Sequence, residues 1–152
     1  MKLEDALKTT KFKDAKHKAT LNILYTSYWL KSSISTVMKD NSITMEQYNV
    51  LRILKGKHPE RMCVKDIGSR MIERSSNVPR IIDRLVVKKL VDRTISKEDK
   101  RETLIMITAK GIDLLEKTTK QVDEHEKRLS AFTEEDAQML NDLLEKLRQI
   151  AE

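Results

Sequence analysis

The side chains best suited to chemistry lie near the middle of the chain, and their types are those that contact nucleic acid. Ser75, Ser76, Asn77 and Arg80 fall where a helix is predicted to begin. Hydroxyl groups and a helix N-terminus can bind phosphate, an Asn amide can pair with adenine, and an Arg guanidinium can pair with guanine. We therefore predict that these four side chains contact DNA.

The positive charge of the chain is concentrated in the same region. The 152 residues include 30 Lys or Arg and 24 Asp or Glu, a net charge of +6. Twelve of the cations and six of the anions lie between Arg61 and Arg101, so the rest of the chain, with 18 of each, is neutral. Such a segment is typical of a phosphate-contacting module, although an ordinary solvated surface gives the same count. Arg84, within it, is either a phosphate contact or part of a salt bridge near Asp83.

Hydrophobic periodicity and helix-capping residues predict the elements that position these side chains. Thr44 with Gln47 fits a capping box, Pro79 fits the first turn of a helix, and Thr108 and Thr133 fit N-caps. In chain order we predict a helix over 14–39, a helix from Thr44 to Gly56, a short strand at 62–64, a short helix over 65–71, a helix from Ser75 or Ser76 to Lys89, strands at 91–95 and 103–107, a helix over 109–131 and a helix from Thr133.

The middle elements predict a mainly α fold with a small β-hairpin wing. A short helix, a tight turn and a second helix form a helix-turn-helix, whose second helix can lie in the major groove of DNA. The charged hairpin directly after it is then a wing. The same geometry occurs in folds that never bind DNA, so a winged-helix module that binds a partner protein is the alternative function.

Two runs of sequence resemble the MarR family of winged helix-turn-helix regulators, and the resemblance covers nearly the whole chain. VPRIIDRLVVKKLVDR, which begins at Val78, is similar to that family's recognition helix and first wing strand. KEDKRETLIMITAKG, which begins at Lys97, is similar to its wing and second strand, and it ends in the Ile-Thr-x-x-Gly signature at Gly111. The chain departs from the family at Lys89, where Gly is usual, and at Pro79, where Ser or Thr is usual.

The resemblance implies a wing that contacts DNA through Lys97, Asp99, Lys100 and Arg101. The Asp-x-Arg element of the family corresponds to Asp99 and Arg101. An Arg at a loop tip can enter the narrow minor groove, and a carboxylate two residues away can hold its guanidinium. An exposed pair of little energetic consequence is the alternative.

The resemblance also implies a single domain over 1–152 that acts as a homodimer on a near-palindromic operator. The winged-helix region is expected over 42–108, and the helical dimerisation regions over 14–39 and 109–152. The last helix carries an apolar stripe suited to a partner copy, although packing within one chain would also cover it. The stripe comprises Leu140, Leu143, Leu144, Leu147 and Ile150.

A small aromatic or lipophilic effector is a further implication of the resemblance, and with it a repressor that the effector releases from DNA. Tyr25, Tyr28, Trp29, Tyr48 and Arg52 could line its cleft, although aromatic residues at helical spacing are more often core.

The remaining features predict few other functions. We expect no cofactor and no metal site, since His17, His58 and His125 lie far apart in sequence, and no motif of an enzyme is present. Cys63 is interpreted as an inert thiol, with redox sensing as the alternative. No apolar run approaches the roughly 18–20 residues that span a bilayer, and the first 18 residues lack the apolar core of a signal peptide, so a cytoplasmic location is expected.

Overall fold

The computed structural model describes the backbone of residues 1–129 and 132–149, and the side chains of 1–127 and 132–149. It is mostly helical with a small antiparallel sheet, which confirms the predicted fold class. The elements are α1 (Leu3–Leu7), α2 (Ala15–Asp40), α3 (Met45–Lys55), β1 (Met62–Cys63), α4 (Val64–Arg70), α5 (Val78–Val87), β2 (Val91–Ile95), β3 (Thr103–Ile107), α6 (Ala109–Leu129) and α7 (Glu134–Arg148). The chain forms two compact units, Met1–Val122 and Asp123–Glu152.

Helix starts follow the capping residues of the sequence. Asp14 accepts a hydrogen bond from the backbone N–H of His17 at 2.8 Å and begins α2. Thr44 and Gln47 form the predicted capping box of α3, with both reciprocal bonds at 3.2 Å. Thr133 caps α7 in the same manner. Each of these bonds satisfies a backbone N–H that the helix itself leaves without a partner.

The N-terminus contains a helix that the sequence analysis does not predict. A separate helix, α1, ends at Lys8, whose φ of 52° is left-handed and therefore stops the helix. The Lys18 ammonium group bonds the Glu4 carboxylate, and this contact holds the pKa of Glu4 below its usual value. Residues between α1 and α2 thus form a turn that the helical spacing of the sequence does not reveal.

The hairpin that was predicted from alternating residues is the greater part of a three-stranded sheet of order β1-β3-β2. Val91 pairs with Ile107 and Ile95 with Thr103, so the two long strands are in full antiparallel register. Strand β1 adds to the other edge of β3 through Met62 and Ile105. Val64, which was predicted to end this strand, is instead the first residue of α4.

The core of the first unit lies between the sheet, the helix-turn-helix and the helices α3 and α6. Helix α4 inserts Ile67 into this core, and α5 inserts Ile82 and Leu85. All three side chains are 0 to 1% exposed. This burial fixes which face of α5 remains outside, and that face carries the polar side chains predicted to contact DNA.

Within residues 123–129 and 132–149, the second unit contains the end of α6 and helix α7. In helix α7, Leu140, Leu143 and Leu147 of the predicted stripe are exposed, whereas Leu144 is half-buried. Ile150, together with the predicted helix end near residue 131, lies outside the described residues.

Candidate nucleic-acid interface

The turn between α4 and α5 is held by contacts from three directions. The backbone N–H of Ile72 donates to Asn49 Oδ1 of α3 at 3.0 Å, and the Arg74 guanidinium donates to the carbonyl of Ser69 in α4. Glu73 forms an exposed ion pair with Lys31 of α2, with an N···O distance of 3.2 Å. The turn therefore presents the start of α5 in a defined position.

The N-cap of α5 is Asn77, which corrects the prediction of Ser75 or Ser76. Its side-chain oxygen accepts a hydrogen bond from the N–H of Arg80 at 3.2 Å. Pro79 lies in the first turn as predicted, and the helix ends at Val87, two residues before the predicted end. Because Asn77 uses an oxygen lone pair for the cap, its amide NH₂ is the group left to donate to a ligand.

The outward face of α5 is cationic with one acidic and one apolar interruption. Arg80, Asp83, Arg84 and Val87 are all exposed, and Val87 is 82% exposed. Positions three and four apart share a face of a helix, so these four side chains form one continuous surface.

Two open grooves flank this surface and bring the predicted helix residues together. The first groove, of about 360 Å³, lies between the turn, α5 and the start of α3. Its lining includes all five predicted DNA contacts of the helix, namely Ser75, Ser76, Asn77, Arg80 and Arg84. The second groove, of about 640 Å³, lies on the other side of Arg80 and Arg84 and adds two cations that the sequence did not single out, Lys39 and Lys88.

Asp83 is paired with Arg93 of β2, through Oδ1 and Nη1. The prediction had left Arg84 either as a phosphate contact or as part of a salt bridge near Asp83. Within the described residues no ion pair of Arg84 is found, so its guanidinium is available on the outward face. Both side chains of the Asp83–Arg93 pair are about half exposed, at 58% and 46%, so the pair itself adds about 1 kcal/mol or less to stability.

The C-terminus of α5 turns sharply into the sheet at the position where the resemblance led us to expect Gly. Lys89 has a φ of 59°, the left-handed conformation that glycine adopts without strain. Its N–H bonds the carbonyl of Val86 at 2.8 Å, and the N–H of Leu90 bonds that of Leu85 at 3.0 Å. This bonding is a Schellman motif, so the departure at Lys89 leaves the geometry intact.

A junction of Lys89, Leu90, Thr108 and Gly111 joins α5, the sheet and α6. The Thr108 hydroxyl donates to the Lys89 carbonyl at 2.9 Å and accepts from the Gly111 N–H at 3.0 Å, while the Thr108 N–H bonds the Leu90 carbonyl at 3.1 Å. A Cβ at Gly111 would lie 2.2 Å from the Leu90 oxygen. The Ile-Thr-x-x-Gly signature is thus the sequence of this junction.

The loop between β2 and β3, which we call the wing tip (96–102), is organised by two short polar side chains. The buried Ser96 hydroxyl accepts from the N–H groups of Glu98 and Asp99 at 3.2 and 3.3 Å. Asp99 Oδ1 accepts from the backbone N–H of Arg101 at 2.9 Å. Asp99 therefore shapes the loop rather than holding the Arg101 guanidinium, which corrects the prediction; Lys97, Lys100 and Arg101 are exposed.

The five predicted effector-cleft residues are only partly brought together. Tyr48 is buried, bonds Thr119 Oγ1 through its hydroxyl at 3.0 Å, and lies under the Arg52 guanidinium, 5.8 Å from ring centroid to Cζ. Tyr25 is half-buried on α2, where Tyr28 is 70% and Trp29 38% exposed. None of the five lines either groove beside α5, and the cleft stays a prediction.

Among the described residues, no three His, Cys, Asp or Glu side chains are placed to hold a metal ion together. The described helices include none with the length and apolar character that crossing a membrane requires. Cys63 is half-buried, and its sulfur accepts from the Asp66 N–H at 3.4 Å as the N-cap of α4.

The part of the sequence that matches a known family contains the residues of this candidate interface that were predicted to contact DNA. A sequence model of the MarR family matches residues 43–103, which run from just before α3 to the first residue of β3. The HTH-type transcriptional regulator MhqR of Bacillus subtilis is 30% identical over 104 residues, which cover 66% of this chain and 69% of MhqR.

Comparison with solved structures also finds transcriptional regulators. MepR of S. aureus in complex with DNA aligns with a TM-score of 0.75 at 26% identity, over 84% of this chain and 94% of MepR. The organohalide-sensing regulator RdhR, in a form bound to 2,4-dichlorophenol, aligns with a TM-score of 0.79 at 19% identity, over 89% of this chain and 80% of RdhR, which supports the fold. These relatives favour a DNA-binding regulator over the alternative of a protein-interaction module.

Proposed function

Because the chain belongs to the MarR family and is a DNA-binding transcriptional regulator, we propose that α5 is its recognition helix and enters the major groove, while the wing tip reaches the adjacent minor groove. The observation that carries this assignment is the first groove, where Ser75, Ser76, Asn77, Arg80 and Arg84 meet on one outward surface. Helix N-terminal side chains and guanidinium groups reach base edges and phosphates from such a surface.

Each predicted contact then has a chemical role. Arg80 and Arg84 are cations on the outward face, suited to guanine or to phosphate. Ser75 and Ser76 lie in the turn and offer hydroxyl donors to phosphate. The amide NH₂ of Asn77 is suited to an acceptor such as a phosphate oxygen, because its oxygen already caps the helix.

In the wing tip, Lys97, Lys100 and Arg101 supply the positive charge, and Arg101 is the side chain proposed to enter the minor groove. Asp99 is proposed to act indirectly, through the loop conformation that it stabilises. Strand β2 connects the junction to the wing tip. Its full register with β3 holds the wing tip in a defined position relative to the junction and α5.

We propose that the active form is a homodimer. Each unit exposes apolar side chains that water solvates poorly: Leu24 and Tyr28 of α2 are 62% and 70% exposed, and Met139 and Leu143 of α7 are 64% and 58% exposed. A second copy of the chain would cover such surfaces. Two recognition helices related by a two-fold axis would lie about 34 Å apart and match a near-palindromic operator.

A small aromatic or lipophilic effector is proposed to release the protein from DNA, as in a repressor. The exposed Tyr28 and Trp29 on α2 offer apolar surface for it, and the exposed Arg52 on α3, which lies over the buried Tyr48, offers a cation. Trp29 is the only tryptophan of the chain. Its fluorescence should therefore change when a chlorinated phenol binds there, and an unchanged spectrum at saturating phenol would contradict this location.

No catalytic role is proposed, and the protein is expected to act in the cytoplasm, where the DNA of bacteria such as the source of MhqR lies.

The test is binding to duplex DNA as a function of salt. A site is first selected from a random duplex pool, and affinity is then measured by fluorescence anisotropy between about 50 and 200 mM salt. Logarithmic affinity should fall steeply with logarithmic salt concentration, by about 0.9 for each phosphate neutralised. A slope near zero would reject DNA binding by this surface.

The wing assignment is tested with Arg101→Ala against Lys117→Ala, an exposed lysine of α6 with the same charge change. Arg101→Ala should weaken binding to the selected site by about 1–3 kcal/mol. Lys117→Ala should change it little. Equal effects of the two substitutions would show that only net charge matters and would contradict a specific wing contact.

A further inference from the structure

The outward face of α5 carries one acidic side chain, and its position is unfavourable for simple DNA binding. Asp83 lies between Arg80 and Arg84 in the lining of the second groove, on the surface proposed to meet phosphates. A carboxylate there repels DNA of every sequence.

The partner of Asp83 is a cation from the wing. Arg93 lies on β2 opposite Ile105, which is 0% exposed, so the Arg93 side chain starts from the face of the sheet that covers the core. It then extends to α5, where its guanidinium bonds Asp83 Oδ1. The charged end of Arg93 is consequently held against the outward face of the recognition helix.

We propose that Asp83 is a selectivity residue, which restrains Arg93 through their ion pair and so keeps a wing cation from neutralising phosphate on DNA of any sequence. The proposal rests on the proposed function and deepens it. Specificity is a difference between two affinities, and lowering the affinity for non-specific DNA raises it as effectively as a new base contact does. Asp83 is thus a positioning residue for Arg93.

The consequence is a difference in the number of phosphates neutralised. When Asp83→Asn releases Arg93, one more cation per protomer becomes available, and the salt slope should steepen by about 0.9 per protomer. Affinity for a scrambled duplex should rise by about fivefold for each protomer, the factor that one unit charge at about 4 Å gives in water. Affinity for the selected site should rise less, so the ratio of specific to non-specific affinity should fall.

The matched control is Asp92→Asn, which makes the same charge change on the neighbouring residue. Asp92 is exposed on β2 but lies on the opposite face of the sheet from Arg93, because successive strand residues alternate. It should leave the salt slope unchanged. Arg93→Gln should also leave the slope almost unchanged, since Arg93 paired with Asp83 neutralises little phosphate, and Asp83→Asn with Arg93→Gln should restore the wild-type slope.

The experiment measures salt-dependent anisotropy of the full chain on the selected site and on a scrambled duplex of equal composition, with thermal unfolding of each variant in parallel. An unchanged or shallower slope in Asp83→Asn would overturn the proposal, and so would a steeper slope that persists in the double variant. Should Asp83→Asn fold poorly, Arg93→Gln alone decides: a slope shallower by about 0.9 per protomer would show that Arg93 already neutralises phosphate. If the wild-type chain itself binds neither duplex, the proposed function has failed before any variant is compared.

Discussion

Gly111 is predicted to be the residue of the junction that tolerates least change. A Cβ at this position would lie 2.2 Å from the carbonyl oxygen of Leu90 and 2.8 Å from Cγ1 of Ile107. The Leu90 oxygen cannot retreat freely, because it accepts the N–H of Thr108 at 3.1 Å, and Ile107 is 1% exposed. Gly111→Ala must therefore displace backbone or core atoms.

The expected cost follows from this crowding. Overpacking of a core usually destabilises by about 1–3 kcal/mol, and contact with a fixed backbone atom belongs at the upper end, so we expect about 3 kcal/mol. For a chain of this length each 1 kcal/mol corresponds to about 2–4 °C in Tm. Gly111→Ala should therefore lower Tm by about 6–12 °C.

Thermal and urea unfolding at one fixed protein concentration provide the assay, since a dimer would make Tm depend on concentration. Gly68→Ala in α4 is the matched control, because the nearest atom to its added Cβ is Cγ2 of Val78 at an ordinary 3.7 Å. It should be neutral or stabilise the helix by up to about 1 kcal/mol. If Gly111→Ala unfolds within 2 °C of Gly68→Ala, the close approach at the junction does not exist in solution.

Two further predictions concern the backbone and the assembly. Lys89→Gly should stabilise the chain by about 0.5–1 kcal/mol, because relief of left-handed strain exceeds the added entropy of the unfolded chain; Lys89→Ala keeps that strain and should gain nothing in urea unfolding. Leu143→Glu, at a 58% exposed position of α7, should shift the chain from dimer toward monomer in sedimentation velocity while helicity is kept, and a dimer that persists would remove this residue from the interface.

Local signals in the sequence predicted most of the elements. Residues at most three apart form the capping box of α3, the N-caps at Thr108 and Thr133 and the alternating strands, and the structure confirms each of them. No such signal identifies the start of α5, because Ser75, Ser76 and Asn77 all have side chains able to cap a helix. Only the conformation of the turn, fixed by contacts from other elements such as Asn49, selects Asn77.

Contacts between helices and strands could not be predicted from the sequence. Asp83 and Arg93 are ten positions apart, on a helix and a strand, and their meeting depends on how the sheet packs against α5. The partner of Asp99 could not be predicted either. Its carboxylate can accept from a guanidinium or from the backbone N–H two residues further on, and local bonds to the backbone compete with side-chain partners. The pattern Asp-x-Arg does not distinguish the two outcomes.

The junction also fixes the position of the wing relative to α5, the two parts proposed to contact DNA. Helix α5 passes through Lys89 and Leu90 directly into β2, and Thr108 at the end of β3 bonds the carbonyls of both residues. The two parts proposed to contact DNA are therefore tied at one place by hydrogen bonds of Thr108, and no flexible linker separates them. A variant that strains this place should misplace the wing relative to the helix. Gly111→Ala, measured at a temperature where it is fully folded, should therefore weaken binding to the selected site, whereas Gly68→Ala should not.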